Sequence, residues 1–290
     1  MNRTRAACAL ACTVLALAGP SGRQAPTFSA RVDAVRVDVL VTEHGQPVRG
    51  LTPSDFLVTD NGVPQQVDLA AFDSIPLNVV LALDISGSML GEPLAELKSA
   101  GRAVVDGLAR DDRAGLITFS HMVHVRQPLT TDRDALRKSL DSSWSGGETA
   151  LVDAAHAAMV LGESDVGRAL VILFSDGVDT TSWLAPASVI RSARRTDAVV
   201  YAVSGAVDGA APKFLEELCE TTGGRLLEVK TRGTLTATLL QVLQEFRQRY
   251  VISYTPRGVA RDGWHALQVR VKNRSVSIKA RPGYLAGPAS

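Results

Sequence analysis

Three short stretches of the sequence gather oxygen-bearing side chains in a pattern that suits chemistry. Asp84-Ile85-Ser86-Gly87-Ser88 follows an apolar run from Ile75 to Leu83 and sets one acid and two hydroxyls at alternate positions. Gly146-Gly147-Glu148-Thr149-Ala150 leads into a second apolar segment, and Ser175-Asp176-Gly177 directly follows the run RALVILF. Polar groups at the mouth of a buried strand cost free energy unless something uses them. In an open parallel sheet, ligands bind beyond the carboxyl ends of the strands. Asp84 and Asp176 with the hydroxyls of Ser86, Ser88 and Thr149 would then make an all-oxygen set at one sheet edge, with no His or Cys. Hard oxygen donors suit Mg2+, or Mn2+ or Ca2+, rather than zinc or copper. Two carboxylates leave little excess negative charge on a divalent ion, which can then accept an outside carboxylate as its last ligand. Gly87 is expected to let the first loop approach the ion closely.

Plainer readings exist for each residue. Ser86 and Ser88 can cap the next helix, and Thr149 can be an N-cap for the segment from Ala150 onward. Asp176-Gly177 can be a turn. Independent caps have no reason to converge on one sheet edge, which favours the joint reading. His121-x-x-His124 has metal-pair spacing but lies in an expected hairpin with no third ligand nearby in sequence. Asp153 and Asp179 read as polar residues of a helix and a loop, with Asp179 near enough to support the site.

The elements that must position these groups follow from hydrophobic periodicity. Val35, Val37, Val39 and Val41 alternate with polar residues, the period of a half-buried strand. Asp60-Asn61-Gly62 between Phe56–Thr59 and Val63–Val67 signals a hairpin. From Leu77 the text alternates between buried strands (77–83, 114–120, 169–174, 198–203, 226–229) and helices (from Pro93, then 133–140, 150–161, 186–195, 212–220 and 234–249). Val123–Gln127 adds a strand. This alternation predicts an α/β fold with a doubly wound, mainly parallel sheet flanked by helices. After Tyr250 the pattern returns to strands: Tyr250–Tyr254, then Leu267, Val269 and Val271 in alternation, then Val276–Ala280. The two β flanks, residues 30–74 and 250–290, are each too small to stand alone. They are expected to pair as a small β-sandwich around an inserted domain of residues 75–249.

Hydrophobic residues make up 46% of the 290 positions and the formal charge is +1, so the chain is globular with no sign of a nucleic-acid or anionic-membrane partner. Arg3 and Arg5, the apolar stretch Ala6–Ala18 and Ala16-Leu17-Ala18 read as a secretory signal over residues 1–18. A polar tether follows over 19–29. The apolar stretch is too short for a span of about 20 residues, so no membrane span remains after cleavage. Cys12 sits in a weak lipoprotein context, but the apolar run continues past it. Cleavage would leave Cys219 alone, so the mature chain forms no internal disulfide. This suits a secreted or periplasmic protein of a bacterial envelope better than a eukaryotic extracellular one.

The motifs carry a resemblance. D-I-S-G-S resembles the D-x-S-x-S motif of the von Willebrand factor type A domain and the integrin inserted domain, and GGETAL and FSDG stand where that family places its threonine loop and second aspartate loop. The resemblance covers roughly Leu77 to Arg249. The flanks LTPSDFLVTDNGVPQQV and YVISYTP…GWHALQVRVK…VSIKARPGYLAG resemble bacterial exported von Willebrand factor A-related proteins. It implies that Ser86, Ser88 and Thr149 touch the ion of a metal-ion-dependent adhesion site while Asp84 and Asp176 support it, often through water. Glu148 departs from the family's usual GGTAL. The expected function is a non-enzymatic, cation-dependent protein-binding or adhesion module, whose protein ligand offers an acidic side chain to the metal. The alternative is a structural or assembly component of the envelope whose metal site meets no ligand. An enzyme is disfavoured: Ile85-Ser86 lacks the second acid of D-x-D phosphatases, and there is no G-x-S-x-G, no G-K-[ST] and no Cys–His set.

Overall fold

The computed structural model describes residues 34–287 except 165, 206–210, 230 and 232. The expected signal (1–18) and tether (19–29) lie outside the described residues. The chain opens with β1 (Val35–Glu43), β2 (Gln46–Pro47), β3 (Phe56–Asp60), β4 (Val63–Gln65) and β5 (Leu69–Phe72). The central part runs β6 (Leu77–Asp84), α1 (Glu92–Asp106), β7 (Arg113–Phe119), β8 (Val123–Thr130), α2 (Arg133–Asp141), α3 (Leu151–Gly162), β9 (Arg168–Ser175), α4 (Pro186–Ala193), β10 (Val199–Ser204), α5 (Lys213–Thr222), β11 (Leu226–Glu228) and α6 (Leu235–Arg247). It closes with β12 (Tyr250–Tyr254), β13 (Gly263–Val271), β14 (Ser277–Lys279) and β15 (Gly283–Ala286).

The central strands form one six-stranded sheet in the order β11-β10-β9-β6-β7-β8. Every neighbouring pair is parallel except β7–β8, an antiparallel hairpin at the edge. β6 has partners on both sides and every residue of LNVVLALD is buried, which is why its sequence is a continuous apolar run rather than an alternation. Successive side chains point to opposite faces. Leu77, Leu81 and Leu83 pack with Leu97 and Val104 of α1 and Leu239 and Phe246 of α6. Val80 and Ala82 pack with Leu151 and Ala155 of α3, Val189 of α4 and Leu215 of α5. Helices therefore cover both faces, and the α/β class read from the sequence holds.

The flanking strands form two antiparallel sheets. One has the order β14-β1-β12-β5 with β2 on β1, and the other β15-β13-β3-β4. β1 pairs with β12 across Val35↔Tyr254 to Val39↔Tyr250, and β3 pairs with β13 across Phe56↔Val271 to Asp60↔Leu267. Each sheet thus mixes strands that precede β6 with strands that follow α6. The inward residues Val37, Val39 and Val41 of β1, Phe56 and Val58 of β3, and Ile252 and Tyr254 of β12 share one core with Leu267 and Val271 of β13.

The sequence treats Asp60 as part of a turn. The turn is Asn61-Gly62 instead, with φ of +47° and +81°, the two positive values a type I′ hairpin requires. Asp60 ends β3 and is fully buried. Its Oδ2 accepts the hydroxyls of Tyr254 and Tyr284, both at 2.8 Å, and its Oδ1 lies 2.7 Å from Nδ1 of His265. The His265 ring stacks on Tyr284. Burial and the Asp60 carboxylate push both tyrosine hydroxyls to higher pKa.

α6 ends two residues before its expected stop at Arg249, and Arg249 is fully buried. Its Nε and Nη2 donate to the Tyr201 hydroxyl at 3.1 and 2.7 Å, and that hydroxyl donates to Glu245 at 2.7 Å. Arg168 pairs with Asp38 of β1 and donates to the Phe246 carbonyl at 3.2 Å. Arg168 thus ties α6 and the parallel sheet to the first strand of the flanking sheets, and Arg249 with Tyr201 ties β10 to the end of α6.

Candidate functional site

Asp84 is the last residue of β6 and is completely buried. Its Oδ1 accepts the Ser86 amide at 2.9 Å and its Oδ2 accepts the Ser175 hydroxyl at 2.6 Å. The second bond follows from register: Leu83 lies opposite Phe174 in the parallel β6–β9 pair, so the next residues, Asp84 and Ser175, leave the two strands side by side. After Asp84 the chain makes one 3-10 turn, Gly87–Met89. This turn brings Ser86 Oγ within 3.1 Å of Ser88 Oγ, and Ser88 Oγ donates to Asp176 Oδ1 at 3.0 Å. Ser86, Ser88 and Asp176 are thereby linked in series across the first and third loops.

Thr149 is fixed through its backbone. Its amide donates to Thr180 Oγ1 at 2.9 Å and its carbonyl accepts the Thr180 amide at 2.9 Å. The Thr149 hydroxyl lies 4.0 Å from where a Cβ on Gly177 would stand, which puts it beside the Asp176 loop. Two backbone bonds staple the first loop to the second, Gly87 N–H to Gly147 O at 2.9 Å and Gly146 N–H to Ile85 O at 2.8 Å. Asp84, Ser86, Ser88, Thr149 and Asp176 therefore converge at the C-terminal edge of the sheet, where β6 and β9 end.

The capping readings do not describe these residues. The N-caps of α1 and α3 are Gly91 and Ala150, and neither end has a side-chain cap bond. Ser86 precedes only the 3-10 turn and makes no cap bond there. Asp179 and Asp153 serve loop and helix. Asp179 accepts the Val152 amide at 3.2 Å, and Asp153 accepts the amides of Trp183 and Leu184 at 3.0 and 2.9 Å. Among the described residues no group of three or more His, Cys, Asp or Glu comes together, so His121 and His124 have no third ligand of those types.

Between the first two loops, the position that a side chain would crowd most is Gly147 rather than Gly87. A Cβ on Gly87 would meet the Gly147 carbonyl at 3.4 Å, an ordinary contact. Gly147 has φ of +88°, and a Cβ there would stand 2.5 Å from Nδ1 of His121. His121 thus packs its ring on the second loop. Sequence reasoning placed Ser175 in the third cluster without a role and missed Thr180 and the packing of His121. A hydroxyl ending a core strand was the available signal for Ser175, but its partner depends on strand register.

The electrostatics of the set are unbalanced. Burial raises the pKa of the Asp84 carboxyl; bonds from Ser175 and Ser86 oppose this, and the charge of Asp176 adds to it. Among the described residues no Arg, Lys or His lies within ion-pair distance of either carboxylate. Two neighbouring carboxylates and three hydroxyls form a donor set that fits a hard divalent cation.

Comparison with known proteins agrees with this fold. A family model described as the von Willebrand factor type A domain matches residues 78–242. The horse calcium-activated chloride channel regulator 1 is 32% identical over 154 residues, covering 50% of this chain and 16% of that protein. A UPF0353 protein of Mycolicibacterium paratuberculosis is 28% identical over 228 residues, 67% of each chain. The chain thus spans well under a fifth of the first of these relatives. Among solved structures, a von Willebrand factor type A protein from Catenulispora acidiphila aligns over 85% of this chain and 76% of its own, with a TM-score of 0.56 and 13% identity. That likeness is one of fold. With the matched segment covering more than half of the sequence and containing Asp84, Ser86, Ser88, Thr149 and Asp176, the chain belongs to the von Willebrand factor type A domain family.

Proposed function

We propose that this chain is an exported, non-enzymatic module that binds a protein partner through a divalent cation, Mg2+ or, in its place, Mn2+ or Ca2+. Ser86, Ser88 and Thr149 would hold the ion, with Asp84 and Asp176 beside it. The family is one whose domains often mediate protein–protein interaction, and the cation would supply a positive centre for an acidic side chain of the partner. The observation that carries the reading is the linked pair of carboxylates at the sheet edge, with no cationic side chain within ion-pair distance of either among the described residues.

The protein's own residues do the positioning. Ser175 and the Ser86 amide hold the Asp84 carboxylate in one orientation, and the backbone pairing with Thr180 fixes Thr149. Arg3, Arg5 and Ala16-Leu17-Ala18 support export to the envelope. Among the described residues no helix is long and apolar enough to cross a membrane.

Titration calorimetry with MgCl2 and MnCl2 tests the site. Wild type is expected to bind one ion, and Asp84→Ala and Asp176→Ala to bind none while keeping the wild-type circular dichroism spectrum. Equal, tight binding by all three proteins would overturn the proposal.

A further inference from the structure

Large apolar side chains are exposed on the four loops that frame the site. Leu90 follows the Ser86–Ser88 turn, Met122 tips the β7–β8 hairpin, Trp144 precedes Gly146, and Val178, Trp183 and Leu184 follow Asp176. Trp183 is 94% exposed, Trp144 71% and Leu90 67%. These six are half of the large hydrophobic side chains exposed among the described residues, and they crowd one edge of one sheet. Local contacts place them around the donor set. The Trp144 ring lies 3.5 Å from where a Cβ on Gly146 would stand, and Gly146 donates to Ile85 inside the first loop. The Leu90 amide donates to the Gly87 carbonyl. Ser182, next to Trp183, holds the first turn of α3 through the Val152 and Asp153 amides, two and three residues beyond Ala150 and directly after the Thr149 loop.

Loop tips are ordinarily polar, and exposed apolar side chains gathered in one place mark an interaction surface. Tryptophan is the residue type most enriched where interface energy concentrates, because it combines large area with little conformational freedom to lose. Asp153 accepts the amides of both Trp183 and Leu184, so the backbone that carries these two side chains is held against the first turn of α3.

We infer that the rim formed by Trp144, Trp183, Leu184, Leu90 and Met122 is the contact surface for a protein segment that carries one acidic side chain among apolar or aromatic neighbours. This deepens the proposed function and rests on it. The acid addresses the ion between the loops, and the neighbouring apolar side chains cover the tryptophans. A partner bearing only clustered acids would leave the tryptophans in water, and an uncharged apolar patch would leave the cation unmet. The rim and the donor set together therefore select the mixed chemistry.

The probe is a library of random short peptides displayed on phage and panned on the full chain in excess Mg2+. Enrichment of an acidic residue flanked by aromatic or aliphatic residues is expected, with a blue shift of tryptophan emission on binding the synthetic peptides. Trp183→Ser and Trp144→Ser, both exposed positions, are expected to weaken those peptides about tenfold each while calorimetric Mg2+ binding stays unchanged. Peptides that bind wild type and both variants alike, peptides with acids but no apolar flanks, or no enrichment at all would each overturn the inference. Chelation separates the two readings. Loss of peptide binding in EDTA is expected, whereas tryptophan-dependent binding that survives EDTA would keep the rim as a surface and remove the ion from it. Light scattering tests the remaining occupant: dimers that form in wild type and vanish in Trp183→Ser would assign the rim to a second copy of this chain and overturn the inference.

Discussion

Asp60 and Asp84 are both completely buried aspartates that end a strand, one in the flanking sheets and one in the parallel sheet. Their surroundings differ. Asp60 is met by three side-chain partners, the hydroxyls of Tyr254 and Tyr284 and the ring of His265, all within 2.8 Å. These residues come from β12, β15 and β13, so the carboxylate joins strands of both sheets. Asp84 is met by one hydroxyl and one amide, and the charge of another carboxylate, Asp176, acts on it. A buried carboxylate encircled by donors is finished by folding. Asp84 faces a second carboxylate with an exposed Ser88 between them and has no such ring of donors among the described residues, which is what the proposed cation would complete. Burial alone does not separate structural from functional acids; the completeness of their partner set does.

The largest expected effect breaks the closed set. Asp60→Ala takes the shared acceptor from the buried Tyr254 hydroxyl, the part-buried Tyr284 hydroxyl and the His265 ring, whose Nε2 already has no partner. A loss of about 3 kcal/mol or more is expected in urea unfolding. Asp84→Asn is the counterpart. Its amide can donate to Ser175 Oγ and its carbonyl can still accept from Ser86. Stability should therefore change by no more than about 1 kcal/mol, while Mg2+ binding is lost. Equal destabilisation by the two substitutions would erase the contrast.

A second effect sharpens it. A ligand that binds only the folded state stabilises by RT ln(1 + [L]/Kd), about 2.7 kcal/mol at a hundredfold excess over Kd. Mg2+ is expected to raise the thermal midpoint of wild type and of Asp60→Ala, and to leave that of Asp176→Ala where it was. Cation stabilisation that persists in Asp176→Ala would place the ion elsewhere.

The comparison also explains what the sequence disclosed. The parallel strands were readable because a strand buried on both faces must be apolar throughout, as in LNVVLALD and RALVILFS. The gathering of Asp84, Ser86, Ser88, Thr149 and Asp176 at one sheet edge was readable because four of them follow such a run and Thr149 leads into another apolar segment. β5 and β15 were not expected: LAAF and GYLA are four residues each, mostly half-buried, with no alternation to mark an inner face. Asp60 was hidden for a different reason. An acid before Asn-Gly looks like turn chemistry, and only the pairing of β3 with β13 shows that its side chain faces inward. Ser175 and His121 likewise act through partners distant in sequence, which no local spacing encodes.

Gly147→Ala probes the contact with His121 that sequence reasoning passed over. The new methyl meets His121, and an L-residue at this φ is strained by about 1 kcal/mol. A stability loss of about 1–2 kcal/mol is expected, with weaker Mg2+ binding because Gly147 O anchors the Gly87 amide. Adding His121→Ala should restore part of the loss, the remainder being backbone strain. No restoration would mean that His121 is not the obstacle.

The smallest effect concerns the flanking sheets, where one charge is not settled in the way Asp60 is. Lys279 ends β14 opposite Leu40 of β1, and among the described residues no carboxylate lies within ion-pair distance of it. Partial burial lowers its pKa from the ordinary 10.5, and the charges of Arg225 and Arg249 lower it further, with Glu245 opposing. The unfolded chain keeps this proton up to 10.5 while the folded chain releases it earlier. Over that interval the unfolded state binds more protons, so stability rises with pH. Below the interval both states are charged and the folded state bears the full cost of crowding three cations. Lys279→Gln removes the charge at every pH. It should be slightly more stable than wild type near neutral pH, and the gap should close as pH approaches about 10. Urea midpoints of the two proteins, taken as a difference at each pH, isolate this group from the tyrosines and from Cys219, whose thiol burial pushes up to about 12. A gap that stays constant with pH would show that Lys279 already has its charge satisfied, and the flanking sheets would then hold no unfinished charge of the kind found at Asp84.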